Sequence, residues 1–152
     1  MAAFHRSKFN IPVIGITGSN GKTIVKEWLY QLLSADYNII RSPRSYNSQI
    51  GVPLSVWQMN SQHTLAIFEA GISTVNEMEH LQQVIQPTIG VLTNIGNAHD
   101  EGFENSAQKL NEKFKLFANA QFTIARDIDL KSSVKCKTWG SDDENYFVIK
   151  ST

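Results

Sequence analysis

Residues 17–23, Thr-Gly-Ser-Asn-Gly-Lys-Thr, set two glycines, a lysine and a hydroxyl between an apolar run (11–17, IPVIGIT) and an amphipathic one (22–35). That junction suits a phosphate. Glycines let successive backbone N–H groups converge as an anion nest, and a helix N-terminus adds partial positive charge. Lys22 can reach β- and γ-phosphates, and the Thr23 hydroxyl can ligate Mg²⁺. The candidate nucleotide-binding set is therefore Thr17, Gly18, Ser19, Asn20, Gly21, Lys22 and Thr23. The spacing departs from the common G-x-x-x-x-G-K-[ST] loop, because Ile16 stands five residues before Gly21 and the nearby glycines are Gly15 and Gly18. A plain glycine turn beside a solvated lysine is the alternative, and G-K-T at a strand–helix junction weighs against it.

Four further positions could join such a loop. Glu69 ends an apolar run (63–71), where a carboxylate is either a metal ligand or a salt-bridge partner. His99 follows the carboxyl end of another apolar run (88–96), a context that His5, His63 and His80 lack. Lys113 lies on an amphipathic stretch, where a lysine is ordinarily a solvated face residue. If its amine is desolvated near another cation, such as Lys109 one turn earlier, its pKa falls. Asn47, close to Gly51 and Pro53, is either a substrate contact or turn chemistry. The run GSDDEN (140–145) lacks EF-hand spacing and reads as a solvated turn.

The elements that must position these residues alternate along the chain. Strands are expected over 11–17, 37–42, 63–71, 88–96 and 121–125, and helices over 22–35, 52–59, 75–85 and 106–120. Pro53 falls in the first turn of its helix, where a missing N–H costs least. The first helix is expected to turn Ile24, Trp28, Leu29 and Leu32 inward, and the last one Ala107, Leu110, Phe114 and Phe117; Trp28, Trp57, Phe114 and Phe117 are assigned to the core. Near-continuous apolar strands between helices predict an α/β, doubly wound, mostly parallel sheet with helices on both faces, P-loop NTPase-like, with ligands at the carboxyl ends of its strands. From Arg126 on, two short strand-like pieces surround a polar turn with no further helix.

Composition narrows the partners. At 152 residues the chain fits a single domain spanning 1–152. Fourteen Lys+Arg against fourteen Asp+Glu leave no basic footprint for a dedicated nucleic-acid binder. The lone Cys136 cannot form an intramolecular disulfide, and no apolar run is long enough to span a bilayer, so a cytoplasmic protein is expected.

Several segments share one resemblance. TGSNGKT resembles the T-G-T-N-G-K-[ST] loop of the Mur ligase family, ATP-dependent enzymes that join an amino acid or short peptide to a carboxylate. YNSQIGVPLS (46–55) resembles the N-N-x-I-G-x-P-L segment of the type that adds D-alanyl-D-alanine to UDP-N-acetylmuramoyl-tripeptide, with Ser48 replacing the second asparagine. FEAGI (68–72) is similar to the family's E-x-G segment, and Glu77 matches a following G-E-[IM] whose glycine is here Asn76. TNIGNAHDEGF (93–103) resembles T-N-x-x-x-A-H-L-E-x-F, with Asp100 at the apolar position, and EKFKLF (112–117) resembles the helix carrying the family's carbamylated lysine.

The resemblance implies an acyl-phosphate route: carboxylate plus ATP, then amine attack and loss of phosphate. It assigns catalysis to Lys22, His99 and Lys113, and adds Asn94 to the nucleotide-binding residues. It implies two Mg²⁺ ions, with Thr23 and Glu69 at the first and His99 and carbamylated Lys113 completing the metal set, and it puts Asn47 on the substrate side. The implied partners are the nucleotide-sugar peptide and D-alanyl-D-alanine. The chain would be the central ATPase domain, inactive alone, without the family's N-terminal UDP-substrate and C-terminal domains; some bacteria fuse such ligases to alanine racemase. Rival readings are a folylpolyglutamate or cyanophycin synthetase type of ligase, a P-loop NTPase switch, and a non-catalytic nucleotide-binding module.

Overall fold

The structure is a computed structural model and describes residues 1–96, 102–126, 136–140 and 147–148. Its chain runs α1 (Ala2–Arg6), β1 (Val13–Thr17), α2 (Lys22–Leu33), β2 (Ile39–Arg41), α3 (Gly51–Val56), β3 (Leu65–Glu69), α4 (Glu77–Ile85) and β4 (Ile89–Leu92). Then follow α5 (Ser106–Phe114), a 3₁₀ turn (Lys115–Phe117), β5 (Phe122–Arg126), β6 (Cys136–Gly140) and β7 (Phe147–Val148). The seven strands form one sheet in the order β2-β3-β1-β4-β5-β6-β7, and every described pairing is parallel.

Period-two alternation divides the strands between two cores. Val13, Ala66 and Phe68 face a layer of α3, α4 and the 3₁₀ turn, through Val52, Val56, Met78, Leu81, Ile85 and Leu116. Ile14, Ile16, Leu65 and Ile67 face the other way, against Val25, Leu29 and Leu33 of α2. Helices therefore cover both faces, as the apolar strands require. Register aligns the strand ends: Ile16 lies opposite Glu69, and Thr17 opposite Leu92. The loop after Thr17, the Glu69 carboxylate and residues 93–96 consequently share the carboxyl edge of the sheet.

Two helix faces differ from expectation. α2 carries two adjacent apolar stripes, and the one that covers the sheet is Val25, Leu29 and Leu33. Ile24, Trp28 and Leu32 point outward, with Trp28 62% exposed. Of the four residues expected inward only Leu29 packs on the sheet, because a shift of one residue rotates a helical stripe by about 100°. Trp57 is also exposed, tilted against the His5 ring with centroids 4.6 Å apart. On α5 the fully buried residues are Lys109, Glu112 and Lys113, whereas Ala107 is exposed. Leu110 and Phe114 pack at the core's margin, and Phe117 is buried.

Helix α1 carries no signal in the sequence reading. Its buried Arg6 ties it down, donating to the Ile85 carbonyl at 2.9 Å and the Gln86 carbonyl at 3.1 Å. Those carbonyls end α4, where intrahelical donors run out. No helix among the described residues is long and apolar enough to cross a membrane.

Candidate active site at the carboxyl edge of the sheet

The loop between β1 and α2 has the backbone its sequence demands. Gly18 stands at φ +143°, and a Cβ there would come 2.0 Å from the Thr93 hydroxyl. Gly21 stands at φ +80° as the N-cap of α2, so both glycines occupy conformations that L side chains rarely adopt. Segment 93–96 holds the loop from the β4 side. The Asn94 carbonyl accepts from Ser19 N–H at 2.9 Å, its side-chain oxygen accepts from Asn20 N–H at 3.0 Å, and the Thr93 hydroxyl donates to the Asn20 carbonyl at 2.6 Å. Ser19 Oγ and the Gly96 backbone exchange contacts at 3.0 Å.

Those bonds narrow the expected nest. The Ser19 and Asn20 amides are engaged by Asn94, and no side chain caps α2. Donors at the start of the helix, from Gly21 to Thr23, are the ones suited to an anion. Thr17 belongs to the loop by position only, since its buried hydroxyl donates to the Ala70 carbonyl at 2.8 Å. Through these contacts Asn94 braces the loop.

Three lysines converge on the loop and on the 93–96 segment that holds it. Lys22 Nζ donates to the Gly18 carbonyl at 2.8 Å and the Ser19 carbonyl at 3.3 Å. Lys113 Nζ reaches across from α5 to the same Gly18 carbonyl at 3.3 Å, and Lys109 Nζ donates to the Gly96 carbonyl. The Lys113 ammonium is pushed down to about 8, first by burial and then by the positive charges of Lys22 and Lys109. Burial also lowers Lys22, with Glu69 opposing and Lys109 reinforcing the shift.

On the opposite side, the Thr23 hydroxyl donates to Glu69 Oε2 at 3.0 Å. Glu69 is fully buried, and its other oxygen faces Lys26 Nζ at 2.9 Å. Two oxygen donors so close at a helix start form a hard pair suited to Mg²⁺. A cleft of about 410 Å³ opens beside them, bordered by Lys22, Asn47, Gly71, Ser73, Glu77 and Lys113 among others. Asn47 enters its wall because its carbonyl accepts from Gly71 N–H at 2.7 Å. Glu77 Oε2 accepts from the Ser73 and Thr74 amides at 2.6 and 3.0 Å, bracing the next turn.

The structure thus brings together the loop, Glu69, Asn47, Asn94 and Lys113. His99 lies outside the described residues, as does most of the acidic run 140–145. Lys26 escaped the sequence reading altogether. Lys22, Lys26, Leu29 and Leu33 recur along one helical face, but only the fold shows that this face turns inward.

Both the sequence and the fold have known relatives. Residues 16–147 match the family description Mur ligase middle domain. A UDP-N-acetylmuramoyl-tripeptide–D-alanyl-D-alanine ligase of Borreliella burgdorferi is 40% identical over 130 residues, covering 85% of this chain and 28% of that protein. The Bacillus subtilis ligase of the same name is 34% identical over 157 aligned residues, covering 99% of this chain and 34% of its own length. The crystal structure of MurF ligase from Thermotoga maritima in complex with ADP superposes with a TM-score of 0.88 at 27% identity, over 99% of this chain and 37% of that one. The chain spans about a third or less of the length of these curated relatives. The chain belongs to the Mur ligase family, matching its middle domain.

Proposed function

We propose that this chain is the central ATP- and Mg²⁺-binding domain of a ligase that adds D-alanyl-D-alanine to UDP-N-acetylmuramoyl-tripeptide. The single observation that carries the reading is the Thr23–Glu69 pair at the foot of a glycine loop whose other flank holds Lys22 and Lys113. That pair supplies two hard oxygens, and the loop supplies helix-start amides and ammonium groups, the donor set a metal–triphosphate needs. The names of the relatives above, and the ADP held by the Thermotoga protein, support the same assignment.

In this reading Thr23 and Glu69 hold the cation, the amides of residues 21–23 and Lys22 hold the phosphates, and Asn47 borders the substrate side. Bound ATP supplies the phosphoryl group that activates the substrate carboxylate. Bringing that carboxylate up to a phosphate crowds negative charge, so the fixed positive charge of Lys22 is the domain's main contribution to the barrier. Lys113 has a second role. With its pKa near 8, about a fifth of its amine is neutral at pH 7.4, against about a thousandth for an ordinary lysine. The neutral amine adds CO₂ and loses a proton, giving an N-carboxylate that can help, with His99, to hold a second cation. Ligation needs the flanking domains of the parent protein, so this domain alone turns over no peptide product.

Titration with a non-hydrolysable ATP analogue, with and without Mg²⁺ and beside Lys22→Ala, tests the nucleotide site. Mg²⁺-dependent binding that weakens at least a hundredfold in the variant is expected. Equal binding by both proteins would sink the reading. In the full-length parent, phosphate release that requires the UDP-muramoyl tripeptide and D-alanyl-D-alanine, and not folate, is the expected substrate pattern.

A further inference from the structure

Lys26 is the one fully buried residue of α2, and nothing in the phosphate site described above requires it. Its ammonium is nonetheless the junction of three elements. Nζ lies 2.9 Å from Glu69 Oε1 and 3.1 Å from Glu27 Oε1, and it donates to the Ser42 carbonyl at 2.8 Å and to the Arg44 carbonyl. Ser42 is itself joined to Glu69, whose backbone N–H donates to Ser42 Oγ at 3.1 Å. Arg44 stands at φ +48°, a left-handed conformation that a non-glycine residue holds only when its surroundings fix it. The Lys26 bond to the Arg44 carbonyl is one such fixing contact. Three residues further on, the same loop delivers Asn47 to the cleft wall.

We propose that Lys26 is a positioning residue for the Mg²⁺ site: its charge pairs at 2.9 Å with Glu69 Oε1, a buried oxygen that accepts no hydrogen bond, and so leaves Oε2 turned to Thr23, and by gripping the 42–44 backbone it links that carboxylate to the loop carrying Asn47. The proposal rests on the reading of Thr23 and Glu69 as the cation's ligands. A carboxylate with both oxygens buried has two ways to face a cation. Lys26 removes one of them. Glu27 completes the charge balance from the solvent side, where it is paired with Arg41 at 3.1 Å. Partners that orient a metal ligand from behind contribute about 10–100-fold to metal affinity, which sets the expected effect.

The test is the Mg²⁺ midpoint for binding a non-hydrolysable ATP analogue, measured with this chain, alongside nucleotide affinity in EDTA. In Lys26→Gln the midpoint should rise about 10–100-fold while the EDTA affinity stays within threefold of wild type. Lys26→Arg keeps the charge, but its planar fork cannot reproduce all the ammonium's contacts, so its midpoint should fall between the two. If Lys26→Gln does not fold, Lys26→Arg decides alone: a midpoint at least threefold above wild type supports the proposal, and one equal to wild type overturns it. A folded Lys26→Gln with an unchanged midpoint also overturns it, leaving Lys26 a brace of the fold. A lower midpoint overturns it as well, because Lys26 would then act as a charge competing with the metal. Wild-type protein that binds the analogue without regard to Mg²⁺ would overturn the reading of the site and the proposal together.

Discussion

Lys26 on α2 and Lys113 on α5 are both buried beside one glycine loop, and they differ in what faces them. Lys26 meets Glu69 at 2.9 Å and Glu27 at 3.1 Å. Lys113 meets the Gly18 carbonyl at 3.3 Å, near the cations Lys22 and Lys109, and among the described residues it has no carboxylate within ion-pair distance. Burial disfavours an ammonium in both places. Opposing charge faces Lys26, whereas like charge adds to the cost of burial for Lys113. Lys113 is thereby poised to lose its proton.

The largest expected consequence is catalytic. In the full-length parent, Lys113→Met should lower ligation by roughly a thousandfold or more, while analogue binding by the domain stays within threefold, the pattern of an interaction made only on the way to the transition state. Steady-state phosphate release set against equilibrium binding reads the two effects separately. Activity within tenfold of wild type would reduce Lys113 to a buried packing residue.

Stability should move in opposite directions at the two positions. Lys26→Met leaves Glu69 buried without its partner, a loss of about 3–5 kcal/mol. Lys113→Met removes an ammonium that folding disfavours, so at pH 7 the variant should be more stable than wild type. The sign with pH follows from linkage. Lys113 titrates near 8 in the folded protein and near 10.5 unfolded, so between those values the unfolded chain holds more protons and stability rises with pH. Of a possible gain on the order of 3 kcal/mol, all is present above the unfolded value and all is lost as pH falls through 8. Urea denaturation at pH 7, 8.5 and 10 should reveal the rise in wild type and its absence in Lys113→Met; parallel curves for the two proteins would erase the contrast.

The contrast is chemical as well as thermodynamic. Under ¹³C-bicarbonate, a neutral Lys113 amine should give a carbamate resonance that grows between pH 7 and 9 and is missing in Lys113→Met. Lys26→Gln should retain it. A signal in neither protein would leave Lys113 poised but unmodified.

Much of this arrangement was legible beforehand. Phosphate-loop residues, Glu69 and the parallel sheet follow from glycine spacing and from apolar runs that end in polar residues, both strictly local signals. Lys113 is marked by its motif, and a lysine buried beside Lys109 has its pKa lowered, as it is here. The hidden part depends on distant partners. Nothing near Lys26 in the sequence announces that Glu69, Ser42 and Arg44 will surround it, and a lysine in an amphipathic helix reads as solvated until its stripe is known to face inward. Arg6 is hidden for the same reason, since the acceptors that tie it to α4 lie some eighty residues away.

The two apolar stripes of α2 provide the smallest test and reach back to the same comparison. Trp28 lies two residues from Lys26, nearly opposite it around the helix, so a helix that buried Trp28 would turn Lys26 to solvent and break its contact with Glu69. In the observed orientation Leu29 packs on β1 and β3, and Trp28 is 62% exposed. Leu29→Ala should therefore cost about 2 kcal/mol, and Trp28→Gln less than about 0.5 kcal/mol. The reverse ranking in urea denaturation would mean that the helix is rotated, and Lys26 would then be the solvated lysine that its sequence context suggests.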